Sequence, residues 1–83
     1  MKVLKFFGTW CAPCSMLTKM IEGINNLKIA VEEIDIDVDK QRAIDYSIRG
    51  VPTCILLDDQ NNEMARRVGM MTETQFKEFV GEL

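Results

Sequence analysis

The sequence predicts an α/β fold with the element order β-α-β-α-β-β-α, in which a four-stranded mixed sheet carries helices on both faces. Two observations predict it: the hydrophobic pattern changes from strand-like to helix-like early in the chain, and strand-like runs lie on both sides of helical segments. The 83 residues are 47% hydrophobic and 28% charged, without linkers or repeats, so we expect one domain over residues 1–83.

The first half of the chain predicts a strand, a helix and a second strand. Residues 2–7 are apolar at most positions, which is typical of a buried central strand, and Gly8 helps to end that run. Residues 11–25 carry apolar side chains at helical spacing, with Pro13 in the first turn, where a missing N–H costs nothing. Residues 28–37 form the second strand. Because a helix joins the two strands, we expect them to pair in parallel with a right-handed crossover.

The second half predicts a short helix, a hairpin and a final helix. Asp39 is suited to cap the short helix, which we expect to end at Tyr46. Strands over residues 54–57 and 63–67 are separated by a cluster of turn-forming residues and form the hairpin. Residues 72–75 fit a capping box, and the helix that follows should run to the C-terminus.

Charge and composition exclude several classes of function. The net charge of −3 without a basic cluster argues against nucleic-acid binding, and no apolar stretch is long enough to span a membrane. The absence of histidine excludes Ser-His-Asp and Cys-His catalysis and most zinc sites, so no metal is expected. The start of the chain is too short for a signal-peptide core, which favours a cytoplasmic location.

The segment Trp10-Cys11-Ala12-Pro13-Cys14 carries the chemistry. Cysteines three residues apart in the first turn of a helix share one face, which suits a disulfide that opens and closes with little backbone movement. Free backbone N–H groups at the helix start favour the thiolate of Cys11, so its pKa should be lowered, whereas the thiol of Cys14 should stay protonated until needed. The expected reaction is attack of Cys11 on a substrate disulfide, followed by attack of Cys14 on Cys11.

Simpler interpretations of the cysteines also exist. A structural disulfide in so small a loop would contribute only about 2 kcal/mol. A zinc knuckle needs four ligands, and the chain offers three cysteines and no histidine. A Cys-x-x-Cys pair in a strand–helix–strand context therefore favours redox chemistry. The third cysteine, Cys54, is expected to be a small core residue, with a regulatory thiol as the alternative.

Three motifs resemble those of the thioredoxin family. Residues 10–14 are similar to the family's W-C-G-P-C, with alanine for glycine, residues 46–53 to Y-G-I-R-G-I-P-T, and residues 67–69 to K-V-G. The resemblance covers almost the whole chain, without the additional N-terminal strand and helix of full-length thioredoxins. It implies a thioredoxin fold and a thiol–disulfide oxidoreductase whose only redox group is the Cys11–Cys14 disulfide, with no bound cofactor.

The resemblance also implies a substrate-binding surface. Pro52 would be cis and lie beside the cysteine pair, and the backbone of Val51 would pair with an extended substrate segment. The surface would comprise Trp10, Ala12, Pro13, Gly50, Val51, Pro52, Thr53, Val68 and Gly69. The alternative for Val51 and Val68 is that they are ordinary core residues.

One position departs from the family pattern. The family usually buries an aspartate six residues before the first cysteine and pairs it with a lysine on the next strand, whereas the corresponding residues here are Lys5 and Glu33. Parallel neighbouring strands could place them side by side. We hypothesise that Glu33, held by Lys5, assists proton transfer at Cys14. The alternative is a half-buried ion pair without a part in the reaction.

Three functions remain open at this level. The first is a monomeric cytoplasmic reductase of protein disulfides, served by a flavin thioredoxin reductase and acting on substrates such as ribonucleotide reductase. The second is a glutathione-linked redoxin, which is disfavoured because residues 69–72 read Gly-Met-Met-Thr instead of the Gly-Gly-Asp-like segment of glutaredoxins. The third is a binding module with idle cysteines.

Overall fold

The computed structural model describes residues 1–83, and its seven elements follow the predicted order. The strands are β1 (Lys2–Phe7), β2 (Ala30–Asp35), β3 (Thr53–Leu57) and β4 (Glu63–Val68), and the helices are α1 (Ala12–Glu22), α2 (Lys40–Asp45) and α3 (Glu73–Val80). The fold class predicted from the sequence is therefore confirmed.

The sheet has the strand order β2-β1-β3-β4. β1 pairs in parallel with β2, as the intervening helix requires, and antiparallel with β3, which forms the antiparallel hairpin with β4. Lys5 on β1 thereby has Glu33 of β2 on one side and Cys54 of β3 on the other. The two central strands are buried along most of their length, whereas both edge strands are largely polar.

The core consists of two layers, one on each face of the sheet. On one face, Val3 and Cys54 pack with Leu17 of α1 and Phe76 of α3. The other face is a smaller cluster of five buried residues, Leu4, Phe6, Ile34, Ile55 and Leu57, against which Tyr46 and Ile48 pack. α1 and α3 therefore cover the first face, and the C-cap residue of α2, Tyr46, lies on the second. None of the three combines the length and apolarity that a membrane-spanning segment requires.

Three elements are shorter than the sequence pattern predicted. α1 ends at Glu22 because the Gly23 N–H bonds to the carbonyls of Lys19 and Met20, which closes the last turn. β2 begins at residue 30 because the two preceding N–H groups donate to the Glu82 carboxylate. α3 stops before Gly81, which adopts a left-handed conformation (φ 76°).

Candidate active site

Cys11 and Cys14 form a disulfide with a Cα–Cα distance of 5.2 Å. Cys11 is the N-cap residue of α1, and its Sγ atom accepts a 3.1 Å hydrogen bond from the Cys14 N–H. Cys11 is 8% exposed and Cys14 2%. Cys11 was predicted to be the more accessible of the two cysteines. Its sulfur is also the one that lies at the N-terminus of α1.

The turn before α1 directs the disulfide toward the helix start. The Cys11 N–H bonds to the Gly8 carbonyl at 3.1 Å, which closes the turn between β1 and the helix. Pro13 lies in the first helical turn, as predicted, and that turn contains no acidic residue. No nearby carboxylate on α1 therefore opposes the positive end of the helix at the Cys11 sulfur.

A loop before β3 lies against the disulfide. The Val51–Pro52 peptide bond is cis, and the Val51 carbonyl oxygen is 3.8 Å from Cys11 Sγ. The Pro52 carbonyl accepts a 2.8 Å bond from the Gly69 N–H, and the Thr53 hydroxyl donates to the Gly50 carbonyl at 2.6 Å. The Val51 N–H has no hydrogen-bond partner within the chain. A backbone donor thus remains available next to the sulfurs.

The predicted substrate-binding residues differ widely in exposure. Trp10 is 66% and Val68 63% exposed, so Val68 is not a core residue. Val51 is partly buried and packs against the core cluster on the second face of the sheet. Pro52 and Thr53 are buried and offer little side-chain surface. Three of the others, Ala12, Pro13 and Gly50, are exposed, and Gly69 is partly buried.

Two residues that orient Trp10 were not identified from the sequence. Its indole N–H donates to the Asp37 carboxylate at 3.0 Å, across 27 residues of chain. Its ring also lies so close to Gly8 that a Cβ atom there would come within 2.6 Å of the ring. Gly8 therefore leaves the space that the indole occupies. The short spacing between Gly8 and Trp10 in the sequence was a sign that the two could be in contact. Nothing in the local sequence indicated Asp37.

Lys5 and Glu33 lie side by side, as the parallel pairing suggested. The Lys5 ammonium donates to both Glu33 oxygens, at 3.0 and 3.2 Å, and also to the Thr18 hydroxyl of α1. The Lys5 side chain is fully buried, whereas the Glu33 side chain is 44% exposed. Thr18 was missed, although its position four residues after Cys14 places both on one face of the helix.

A cavity of about 320 Å³ connects these residues to the disulfide. Cys11, Cys14, Thr18 and Glu33 all contribute to its lining. The carboxylate that holds the buried lysine and the less accessible sulfur therefore face the same space.

Cys54 is fully buried in the α1–α3 side of the core. Burial raises the pKa of its thiol to about 11, although the neighbouring Lys5 acts in the opposite direction. This agrees with the core interpretation. No group of three or more cysteine, aspartate or glutamate side chains is arranged to hold a metal ion.

The fold and the disulfide at the start of α1 define a thiol–disulfide oxidoreductase. The Thioredoxin family model matches residues 1–82, and the chain belongs to the thioredoxin family. It is 36% identical over 83 residues to a thioredoxin of Chlamydia pneumoniae, covering 98% of this chain and 76% of that one. It is 32% identical to a thioredoxin of Buchnera aphidicola from Acyrthosiphon pisum, covering 96% and 76%.

A solved structure shows the same fold. A mutant thioredoxin from Halobacterium salinarum superposes with a TM-score of 0.86 at 33% identity, covering 94% of this chain and 69% of that one. These comparisons favour a thiol–disulfide oxidoreductase over the glutathione-linked redoxin and the binding module. The protein exchanges dithiol for disulfide with protein substrates, uses the Cys11–Cys14 pair as its redox group, and is re-reduced by a partner reductase.

Proposed function

We propose that the protein is a monomeric cytoplasmic electron carrier that reduces protein disulfides and receives its electrons from a flavin thioredoxin reductase. One observation carries the proposal: Cys11 Sγ caps α1 and lies 3.8 Å from the carbonyl of Val51, whose N–H is unpaired. A nucleophile favoured as a thiolate and a backbone that can hold a substrate strand are thus next to each other.

The reaction proceeds in two exchanges. The Cys11 thiolate attacks one sulfur of the substrate disulfide, and the other sulfur leaves as a thiolate. The Cys14 thiolate then attacks Cys11 in this mixed disulfide and releases the second substrate sulfur, which leaves the substrate as a dithiol and the protein as a disulfide. Cys14 can do so with little backbone movement, because the two Cα atoms are already 5.2 Å apart.

The substrate segment lies along Val51 and pairs with its backbone. Exposed Trp10 and Val68 flank that segment, and Met70, which is 41% exposed, extends the apolar surface. Ala12, Pro13, Gly50 and Gly69 complete the docking surface. Buried Pro52 and Thr53 shape the loop from below, since the Thr53 hydroxyl is bonded to the loop backbone.

Glu33 assists proton transfer at Cys14, and Lys5 holds it in place. Support comes from the cavity that Glu33 shares with Cys14 and from its partial exposure, which allows exchange of protons with solvent. The pH dependence of disulfide reduction by Glu33→Gln should differ from that of the parent protein. An unchanged profile would leave the ion pair without a part in proton transfer.

Insulin reduction tests the proposed activity and identifies the donor. We expect turnover with NADPH and a flavin thioredoxin reductase, and little with glutathione and glutathione reductase. Cys11→Ser should abolish turnover, whereas Cys54→Ala removes a cysteine outside the site and should retain it. Ribonucleotide reductase is the candidate substrate for a second assay. Equal turnover by Cys11→Ser and the parent protein would refute the proposal.

A further inference from the structure

We propose that the buried ammonium of Lys5 stabilises the thiolate of Cys14 and thereby makes Cys14 a better leaving group when the disulfide is opened. This rests on the proposed function, in which a donor dithiol re-reduces the Cys11–Cys14 disulfide. Lys5 does not touch the sulfur, so it acts through its charge and is not a catalytic residue.

The need for such a charge follows from the opening step. A donor thiolate attacks Cys11, a new S–S bond forms to Cys11, and the electron pair of the broken bond remains on Cys14 as a thiolate. A second donor thiolate then attacks the donor sulfur bonded to Cys11, so the donor dithiol becomes a disulfide, Cys11 leaves as a thiolate, and Cys14 takes up a proton. Because Cys14 is only 2% exposed, water can do little to stabilise its charge.

Lys5 is the only buried residue with a formally charged side chain. Its ammonium is bonded to Thr18, which lies one helical turn from Cys14 on the same face of α1 and lines the same cavity. Through Thr18, the cation is thus linked to the face of α1 that carries the less accessible sulfur. Because Lys5 is fully buried and Cys14 is 2% exposed, water screens their attraction less than it would at the protein surface.

Glu33 attenuates this effect without cancelling it. Its carboxylate binds the same ammonium but is 44% exposed, so water screens its charge more than that of Lys5. The titratable groups that face Lys5 and Cys14 are Glu33 from β2, Cys11 at the N-cap of α1 and Cys54 from β3. Removing each member of the ion pair should therefore change the acidity of Cys14 in opposite directions.

The test is the titration of Cys14 in a protein that contains no other thiol. In a Cys11→Ser/Cys54→Ala background, ultraviolet thiolate absorbance reports Cys14 alone. We expect Lys5→Met to raise the titration midpoint by about one pH unit and Glu33→Gln to lower it. In the protein with all cysteines, Lys5→Met should slow disulfide opening by dithiothreitol severalfold, which Trp10 fluorescence can follow.

The same strands provide a matched control pair. Lys2 and Glu32 form an ion pair on β1 and β2, but both side chains are 40% exposed and neither lines the cavity beside the disulfide. Lys2→Met and Glu32→Gln should therefore leave the Cys14 midpoint unchanged.

Two results would overturn the proposal: a midpoint that moves in the same direction in Lys5→Met and Glu33→Gln, or one that moves in neither. If Lys5→Met does not fold, an unchanged or raised midpoint in Glu33→Gln, at a partly exposed position, overturns it alone. Failure of the parent protein to reduce insulin would refute the proposed function instead, whatever the midpoints.

Discussion

The backbone N–H of Cys14 donates to the Sγ atom of Cys11, so α1 is capped by a sulfur of its own disulfide. A side-chain acceptor at this position satisfies one of the free donors of the first turn. The same bond that stabilises the helix start therefore also places a partial positive charge against the sulfur.

The capping bond predicts different stabilities for two inactive variants. Cys11→Ser keeps an acceptor at the N-cap, whereas Cys11→Ala removes it, so the alanine variant should be less stable by about 1 kcal/mol. Urea unfolding under reducing conditions measures the difference. Equal unfolding midpoints would mean that the Cys14 N–H gains nothing from a side-chain acceptor.

Gly8 should control the position of Trp10. In Gly8→Ala the new methyl group would lie 2.6 Å from the indole ring, which is exposed and can move, so we expect less than about 0.5 kcal/mol of destabilisation. The displaced indole should change the emission of the single tryptophan and reduce insulin turnover severalfold. Gly23→Ala is the control, because a Cβ there makes only 3.5 Å contacts. An emission spectrum identical to that of the parent would contradict the prediction.

The sequence predicted the features that depend on local pattern. The disulfide at the helix start and the order of elements follow from spacing and periodicity within short windows, and the Lys5–Glu33 contact followed once parallel pairing was assumed. The Trp10–Asp37 bond could not be predicted, because it joins residues 27 apart through the packing of two loops. The sequence indicated a half-buried Lys5–Glu33 pair, whereas the Lys5 side chain is completely buried, which is rare for a lysine.

Cys54 should be unreactive in the folded protein. Because burial raises the pKa of its thiol to about 11, almost none of it is thiolate at neutral pH, and its side chain is inaccessible. Iodoacetamide should therefore label the reduced protein at Cys11 first and at Cys54 only after unfolding. Mass spectrometry of digests taken over time measures the order. Labelling of Cys54 in the folded protein at the rate of Cys11 would contradict its assignment to the core.

Glu32 should make stability depend on acid pH. Hydrogen bonds from Arg42 at 2.6 Å and from Lys2 at 3.1 Å lower its pKa to about 2 from 4.5. A carboxylate with a lower pKa in the folded state stabilises the fold fully above its unfolded pKa, and that stability is lost as pH falls from about 4.5 to about 2. Because its side chain is 40% exposed, screening limits the effect to about 1 kcal/mol.

Glu32→Gln provides the test of this pH dependence. The variant should be less stable than the parent at pH ~6, and the difference should shrink toward pH ~2, where the parent carboxylate becomes protonated. Thermal unfolding across this range measures it. Glu78→Gln is the control, because Glu78 is exposed and forms no salt bridge. A stability difference independent of pH would rule out the ionised carboxylate as its source.

Glu82 should stabilise the end of the molecule that lies away from the disulfide. Its carboxylate accepts hydrogen bonds from the Lys28 and Ile29 N–H groups at 2.9 and 2.8 Å, which ties the C-terminal segment to the start of β2. Glu82→Ala leaves both donors without this acceptor and should lower the free energy of unfolding by about 1–2 kcal/mol. The stability of Glu82→Gln should lie between that of Glu82→Ala and that of the parent, because a neutral acceptor binds the N–H groups more weakly than a carboxylate. Since β1 and β2 are parallel and the disulfide follows the far end of β1, insulin turnover should not change. Urea unfolding measures the stability, and the insulin assay measures the turnover. Loss of turnover at unchanged stability would contradict the prediction, because it would mean that the Glu82 hydrogen bonds affect the disulfide.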